Sequence, residues 1–410
     1  MNALLKNNFK QNWQLYLTTL FLIGIISGRA MTSMLSAAMV LPFFFNRQNK
    51  LIATKMIVAS ALIIFPVFIS VLWSSDTNTW WQRLITKLPL LTISVGLISS
   101  GFTKKEIKKI IWTLSIVVCI ASSWTIINYL NNRAQINQSY LIAQVMPTFL
   151  DDEHIRSSWL IVITMILLSW QLFIQSNQKE KIIGLILLIF FFFYLHLLAA
   201  KTGLACLYIS LLTAIICFLF TSCKKLGLIL LVAIIIIAAI TYQIFPTLHN
   251  RIQYAVWDYE QYSNGKFLKG SDDGNRIISY KAGLNIFSSK PLIGVGFGDM
   301  RKEIIKWYAI HRPQSEEYEI MNPLNEWLVY LVASGIIGML IFSIGMIYIF
   351  VLLFTKNIFS FCLAITLFIP LMIDDCLETQ YGLVIFVLAI SLAYYLKLQT
   401  KSTSDTVSSV

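Results

Sequence analysis

Long apolar runs, broken by short polar stretches, dominate this chain. Runs such as IIGLILLIFFFFYLHLLAA and LGLILLVAIIIIAAITYQIF approach the roughly 20 residues that carry a helix across a bilayer. About twelve spans are expected on this basis, near 13–28, 30–45, 54–74, 84–100, 108–130, 156–175, 181–199, 202–221, 225–245, 325–354, 358–374 and 380–397. The first two are short enough to form a broken pair. The predicted fold class is therefore all-α, a polytopic integral membrane protein. Residues 1–245 carry nine spans, 246–323 form one long connection, 324–397 carry three more spans, and 398–410 form a tail.

Composition agrees with this reading. Of 410 residues, 57% are hydrophobic and 13% charged, about half the charged fraction of a soluble domain. Lys and Arg set the orientation. With the N-terminus in the cytoplasm, sixteen of the 32 basic residues fall in short inside segments and six in short outside ones. The remaining ten lie in the long connection, which the rule does not count. Both termini are thus expected in the cytoplasm and 246–323 outside. The net charge of +12 needs no nucleic-acid partner, because basic loops facing anionic membrane lipids account for much of it. The six cysteines show no CxxC spacing, and the four histidines show no metal-ligand spacing. No metal and no cofactor is expected.

Polar groups are costly at membrane depth, so the places where they gather point to function. Most gather on the outer side. Lys201 opens a span in AAKTGL, DDEHIRSSW (151–159) leads into another, IDDCLETQYG (373–382) joins the last two, and NPLNEW (322–327) opens the tenth. Mid-span positions are nearly free of charge, whereas a transporter buries charges at the midplane. Asp374, Asp375 and Glu378 read most simply as a solvated turn. Glu326 reads as a first-turn acid favoured by the helix dipole, at the lip of its span. Gly335 and Gly338 in ASGIIG read as small residues for close helix packing. His196 reads as a packing residue, and Trp80–Trp81 as an interfacial anchor.

The long connection is not featureless. SDDGN (271–275) offers helix caps, and Ile277, Tyr280, Leu284 and Phe287 then recur at helical spacing. That stripe suits a helix lying on the membrane surface. Arg276 falls in its first turn, near free N–H groups, where an anionic oxygen is well received; taken alone it is equally a solvated surface arginine. In PLIGVGFGD, Gly294, Gly296 and Gly298 alternate. No βαβ unit surrounds them, so a tight turn bringing backbone close to another element is the better reading.

The order of these motifs resembles the O-antigen ligase family, whose superfamily includes O-antigen polymerases. Asn325, nine residues, then Gly335 and Gly338 match the family pattern at the head of the tenth span. HIRSS (154–158) and LETQYG (377–382) are most similar to Bacteroidetes-type members. The resemblance implies a GT-C-type glycosyltransferase in the bacterial inner membrane. It implies a glycan moved from undecaprenyl diphosphate to a lipid A-core sugar hydroxyl at the periplasmic face, with inversion and without a metal. The alternative is a polymerase using the same donor with a glycan acceptor; a lipid-linked glycan transporter is a reading of a different class. The resemblance assigns Arg276 and Lys201 to the donor diphosphate, with Arg156 and Arg29 as further candidates. Lys201 stands where the family usually has arginine, supplying charge without a bidentate fork. It assigns the catalytic position to Leu324, with Asn325 and Glu326 beside it, and leaves His154, Asn322, Gly294, Gly296, Glu378 and Gln380 in support.

Leu324 aligns with the family's histidine, the presumed base toward the acceptor hydroxyl, and leucine accepts no proton. Three accounts stay open: the chain is an inactivated version, Glu326, His154 or His311 acts instead, or leaving-group stabilisation and positioning suffice. The topology itself is testable. In a cysteine-free background, a cysteine at Ser271 is expected to react with an impermeant maleimide from outside the cytoplasm. Reaction from the cytoplasm alone refutes the orientation.

Overall fold

The computed structural model describes residues 2–46, 50–174, 176–220, 224–264, 273–353 and 357–407, and among these it contains no strand. Its helices run α1 (Asn2–Ser27), α2 (Arg29–Ala38), α3 (Leu41–Phe45), α4 (Lys50–Ile69), α5 (Thr77–Lys87) and α6 (Pro89–Ser99). Then follow α7 (Lys104–Asn131), α8 (Arg133–Ser139), α9 (His154–Ile174), α10 (Gln178–Leu198), α11 (Lys201–Leu219) and α12 (Lys224–Ile244). The remainder are α13 (Pro246–Ser263), α14 (Asp273–Ser289), α15 (Met300–His311), α16 (Glu326–Leu353), α17 (Ile358–Ile373) and α18 (Gln380–Val407). Eight helices among the described residues are long and apolar enough to cross a membrane: those spanning 51–72, 104–131, 154–174, 178–198, 201–219, 224–244, 326–353 and 380–398. The protein is an all-α polytopic membrane protein.

Among the described residues each of the twelve expected spans falls mostly on helix, but not all are continuous. The first two are shorter apolar helices meeting at Gly28, whose φ of 123° turns the chain between α1 and α2. The fourth is interrupted before Pro89, so only the 11 residues of α6 continue it. Local chemistry sets many of these boundaries. Thr103 with Glu106 and Asn177 with Glu180 form reciprocal caps at the starts of α7 and α10. Asp76 caps α5 by accepting from the Thr79 N–H at 2.9 Å.

The 246–323 connection is largely helical, holding α13, α14 and α15. The caps expected at Ser271 and Asp272 lie outside the described residues. Helix α14 forms where its periodicity indicates, but the packed face differs from the expected stripe. Ile278, Ser279, Ala282, Gly283 and Ile286 are buried, whereas Leu284 is 54% exposed. The reason is close approach to α16: a Cβ at Gly283 would sit 2.9 Å from Pro323 and 3.1 Å from Leu328. Ser279, Ala282 and Gly283 face the protein between Ile278 and Ile286, and Leu284 turns outward.

The alternating glycines act on α16. At Gly335 that helix breaks, with φ 65° and ψ −170°. A break leaves backbone carbonyls and N–H groups without helical partners, which is costly in an apolar surrounding. The PLIGVG segment supplies them. Val295 and Gly296 N–H groups donate to the Val332 and Ala333 carbonyls at 3.0 and 2.8 Å. Ile336 and Ile337 N–H groups donate to Pro291 and Leu292 carbonyls at 2.9 and 3.4 Å. The approach is backbone on backbone: a Cβ at Gly294 would lie 2.5 Å from the Ala333 carbonyl carbon, and one at Gly335 2.2 Å from the Leu292 oxygen. The same segment closes on the end of α4. Gly298 N–H donates to Ser74 Oγ at 3.3 Å, and Asp299 accepts from Ser75 N–H, Ser75 Oγ–H and Asp76 N–H at 2.6, 2.7 and 3.0 Å.

Gly335 adopts a backbone region that is essentially glycine-only, where a side chain costs about 1–3 kcal/mol before any clash. Gly335→Ala is therefore expected to lower the thermal midpoint of the detergent-solubilised protein by several degrees. An unchanged melt would mean that the break is not held by this clasp.

Candidate active site

The head of α16 is fixed by its own polar residues. Asn325 Oδ1 accepts from the Leu328 N–H at 3.0 Å, capping the helix, while its Nδ2 donates to the Met372 carbonyl at 2.7 Å. Helix α14 holds the preceding residue through its backbone. Ser279 Oγ accepts from the Leu324 N–H at 3.3 Å, and the Tyr280 hydroxyl donates to the Leu324 carbonyl at 2.9 Å. Asn322 Nδ2 reaches Asp375 Oδ2 at 3.3 Å. The NPLNEW corner is thus tied to α14, to the end of α17 and to the turn that follows it.

Behind this corner lies a sealed set of charges. Glu326 and Lys87 have no accessible side-chain surface, and Glu378 has 1%. Lys87 Nζ donates to Glu378 Oε1 at 2.6 Å and to the Leu377 carbonyl at 2.8 Å, and lies 3.4 Å from Glu326 Oε1. The Leu377 N–H donates to Glu326 Oε2 at 3.0 Å. The Tyr330 ring centre is 5.5 Å from the ammonium. Arg83, one helical turn before Lys87 on the same face of α5, meets Glu378 Oε2 at 3.0 Å. Burial alone would raise the Glu378 pKa, but Lys87 and Arg83 outweigh it and hold the carboxyl below its usual range.

A second group adjoins the first. Arg156, at the start of α9, meets Asp374 at 2.7 Å, Asp375 at 3.4 Å and Glu153 at 3.4 Å. Burial, then the neighbouring Asp374 charge, pushes the Asp375 carboxyl well above the ordinary aspartate range, and Arg156 offsets this only in part. Burial likewise raises Glu153 against the pull of Arg156 and Arg29.

Two expectations change here. Asp374, Asp375 and Glu378 are not a solvated turn; Asp374 is 2% and Glu378 7% exposed. Isolated carboxylates could not stay there, but these have cations from α5 and α9 beside them. Glu326 is in the first turn of α16, as expected, yet it faces inward to Lys87 rather than standing at the lip.

The other candidate residues distribute around this corner. Arg276 sits in the first turns of α14, and its Nη1 donates to the Ile373 carbonyl at 2.7 Å, immediately before Asp374. Lys201, the first residue of α11, pairs with both Asp273 carboxylate oxygens at 2.8 and 2.9 Å. Arg29 pairs with Asp151 and Glu153, each at 3.0 Å, and lies 5.6 Å from the Tyr381 ring centre. Gln380 Nε2 donates to the Arg29 carbonyl at 2.9 Å and to Ser33 Oγ at 2.7 Å. His154 starts α9, half-buried, two residues before Arg156. Gly294 and Gly296 belong to the clasp, where their close neighbours are Ala333–Gly335 and Ser74. His311 stacks on Trp307 with ring centres 4.5 Å apart, beside a cavity of about 780 Å³ that Ile278 and Lys281 also line. His196 is fully buried between the Phe192 carbonyl and the Tyr208 hydroxyl, each at 2.8 Å, as a packing residue would be.

Lys87, Arg83, Tyr280 and the Asp374–Asp375 pair were not among the expected site residues. One local signal pointed to the first two: basic residues at i and i+4, the second of them two positions before a proline that opens an apolar run. Together the corner offers six arginines or lysines from five helices, several carboxylates in unequal environments and two asparagine amides. Such a set can hold an anionic leaving group and handle a proton.

Comparison with known proteins bears on which chemistry this is. Residues 186–343 match the O-antigen ligase family, a stretch running from α10 into α16, and the match supports membership of that family. No curated protein matches the chain.

Removing one partner from a buried ion cluster strands the others, at about 3–5 kcal/mol. Lys87→Met is expected to lose most folded protein in fluorescence-detected size-exclusion chromatography. Lys87→Met combined with Glu326→Gln should recover part of it. Equal loss in both would show that Lys87 acts there other than by charge.

Proposed function

We propose, from the O-antigen ligase domain that residues 186–343 carry, that the protein is a lipid-diphosphate-dependent glycosyltransferase of the ligase type. It would move a glycan from undecaprenyl diphosphate to a lipid A-core sugar hydroxyl at the periplasmic face of the inner membrane. The observation carrying this reading is that basic side chains from α5, α9, α11 and α14 converge on one end of the helix set, around the head of α16.

The physical logic concerns the leaving group. A diphosphate develops charge as the glycosidic bond breaks, so fixed cations assist more than an acid does. Arg276 presents a planar fork beside the Asp374 turn, and Lys201 supplies a mobile charge next to the same helix start. Asp273, now paired with Lys201, would yield that lysine to a doubly charged head group. Arg156, held by Asp374, Asp375 and Glu153, and Arg29, held by Asp151 and Glu153, each engage more than one carboxylate, which suits them to shaping the corner. A polymerase would use the same donor and differ only in acceptor.

Deleting the gene should leave uncapped core and accumulated lipid-linked glycan, whereas loss of a polymerase should leave short, still-attached glycans. In purified protein, Arg276→Ala and Lys201→Ala are each expected to lower turnover of an undecaprenyl-diphosphate glycan by tenfold or more, with Lys201→Arg milder than Lys201→Ala. Full turnover in both alanine variants would remove these residues from the donor site.

A further inference from the structure

Glycan transfer to a hydroxyl needs somewhere for the hydroxyl proton to go, and Leu324 offers nothing at the head of α16. The carboxylates around that corner differ sharply in what they could accept. Glu326 has no accessible surface and is engaged by Lys87 and the Leu377 N–H. The Glu378 side chain, 1% exposed, is held between Lys87 and Arg83 at 2.6 and 3.0 Å. The Asp374 side chain, 3% exposed, lies 2.7 Å from Arg156. Among the acids of α16 and of the 374–378 turn, Asp375 is the exception. Its side chain is 14% exposed, Asp374 lies against it, and the cation and the amide that reach it stand at long range, Arg156 at 3.4 Å and Asn322 at 3.3 Å. Through Asn322 it is joined to the stretch that leads into Leu324 and Asn325. The Asn322 amide oxygen is itself buried without a hydrogen-bond partner.

We infer that Asp375 is the general base of the transfer, with Asn322 positioning it toward the acceptor hydroxyl. The inference rests on the glycosyltransferase reading above. The acceptor O–H proton passes to the Asp375 carboxylate as the oxygen bonds to the anomeric carbon. The anomeric C–O bond breaks, and its electron pair leaves on the lipid diphosphate. Asp375 then returns the proton to water.

The surrounding charges favour such a role. From its own turn Asp375 faces Asp374 and Glu378, and from α9 it faces Arg156. Glu326 on α16 and Arg301 on α15 feel its charge, and Arg276 of α14 binds the carbonyl two residues before it. Burial and the two acidic neighbours lift its pKa, which makes it a stronger base than an exposed aspartate. The sign of the pH dependence follows. The base must be ionised, so transfer should fall as pH drops through a pKa above the ordinary aspartate value of about 4.

The test uses the full-length protein with undecaprenyl-diphosphate glycan and lipid A-core. Asp375→Asn keeps shape and should cut kcat by about 10²- to 10⁴-fold, the usual worth of general-base help, with little change in donor KM. Leu324→His in that background places an imidazole at the same corner and should restore part of the rate, with an acid limb shifted toward the histidine pKa of about 6.5. A merely structural Asp375 would give no such rescue and no new limb. Wild-type protein that transfers no glycan defeats the proposed reaction. Wild type that transfers, with Asp375→Asn equally active, defeats this inference alone. If Asp375→Asn fails to fold, the wild-type profile decides: an acid limb at or below about pH 4 overturns the assignment.

Discussion

A lysine ammonium with no access to water, set between two carboxylates, is the constraint around which this protein is arranged. Burying an ion costs several kcal/mol even after relaxation, and only near-ideal partners offset it. Lys87 finds them in Glu378, Glu326 and the Leu377 carbonyl. These residues come from α5, the head of α16 and the turn between α17 and α18. None of the three elements can shift without leaving a charge alone, so together they define one rigid corner. Arg156 extends the requirement to α9 through Asp374.

The clasp at Gly335 applies the same reasoning to backbone. A helix interrupted at membrane depth must find partners for its freed amides. The 291–296 segment provides four such bonds and is anchored at its far end by Asp299 on the 74–76 stretch. One device fixes the top of α16 and the other its middle. Side chains around residues 322–326 therefore stand on a helix held at two heights, which is how a site keeps its geometry.

The helical class, the positions of the long apolar helices and the gathering of polar groups at one end were legible in the sequence, because run length and charge placement are local properties. Partnerships were not. Asp374, Asp375 and Glu378 read as solvent-facing because their cations lie some two hundred residues or more earlier in the chain, at Arg156, Arg83 and Lys87. The face of α14 was also misjudged, for a different reason. In water a stripe of large apolar residues marks the packed side. Here the packed side is chosen instead by how closely two helices must approach, and Leu284 is left outside it. Gly283 against Pro323 decides it.

The inert residue among the polar ones has a physical explanation too. Leu324 contributes its backbone, giving its N–H to Ser279 and its carbonyl to Tyr280, and its side chain is free to be anything that fits. The chemistry at this corner is then set by how unequally its carboxylates are treated. Two cations hold Glu378 down in pKa, while burial and Asp374 push Asp375 up. Neighbouring acids driven apart in this way take different roles, one a fixed charge and one a group able to exchange a proton. The same buried cations that make the corner rigid thus also make its acids different from one another.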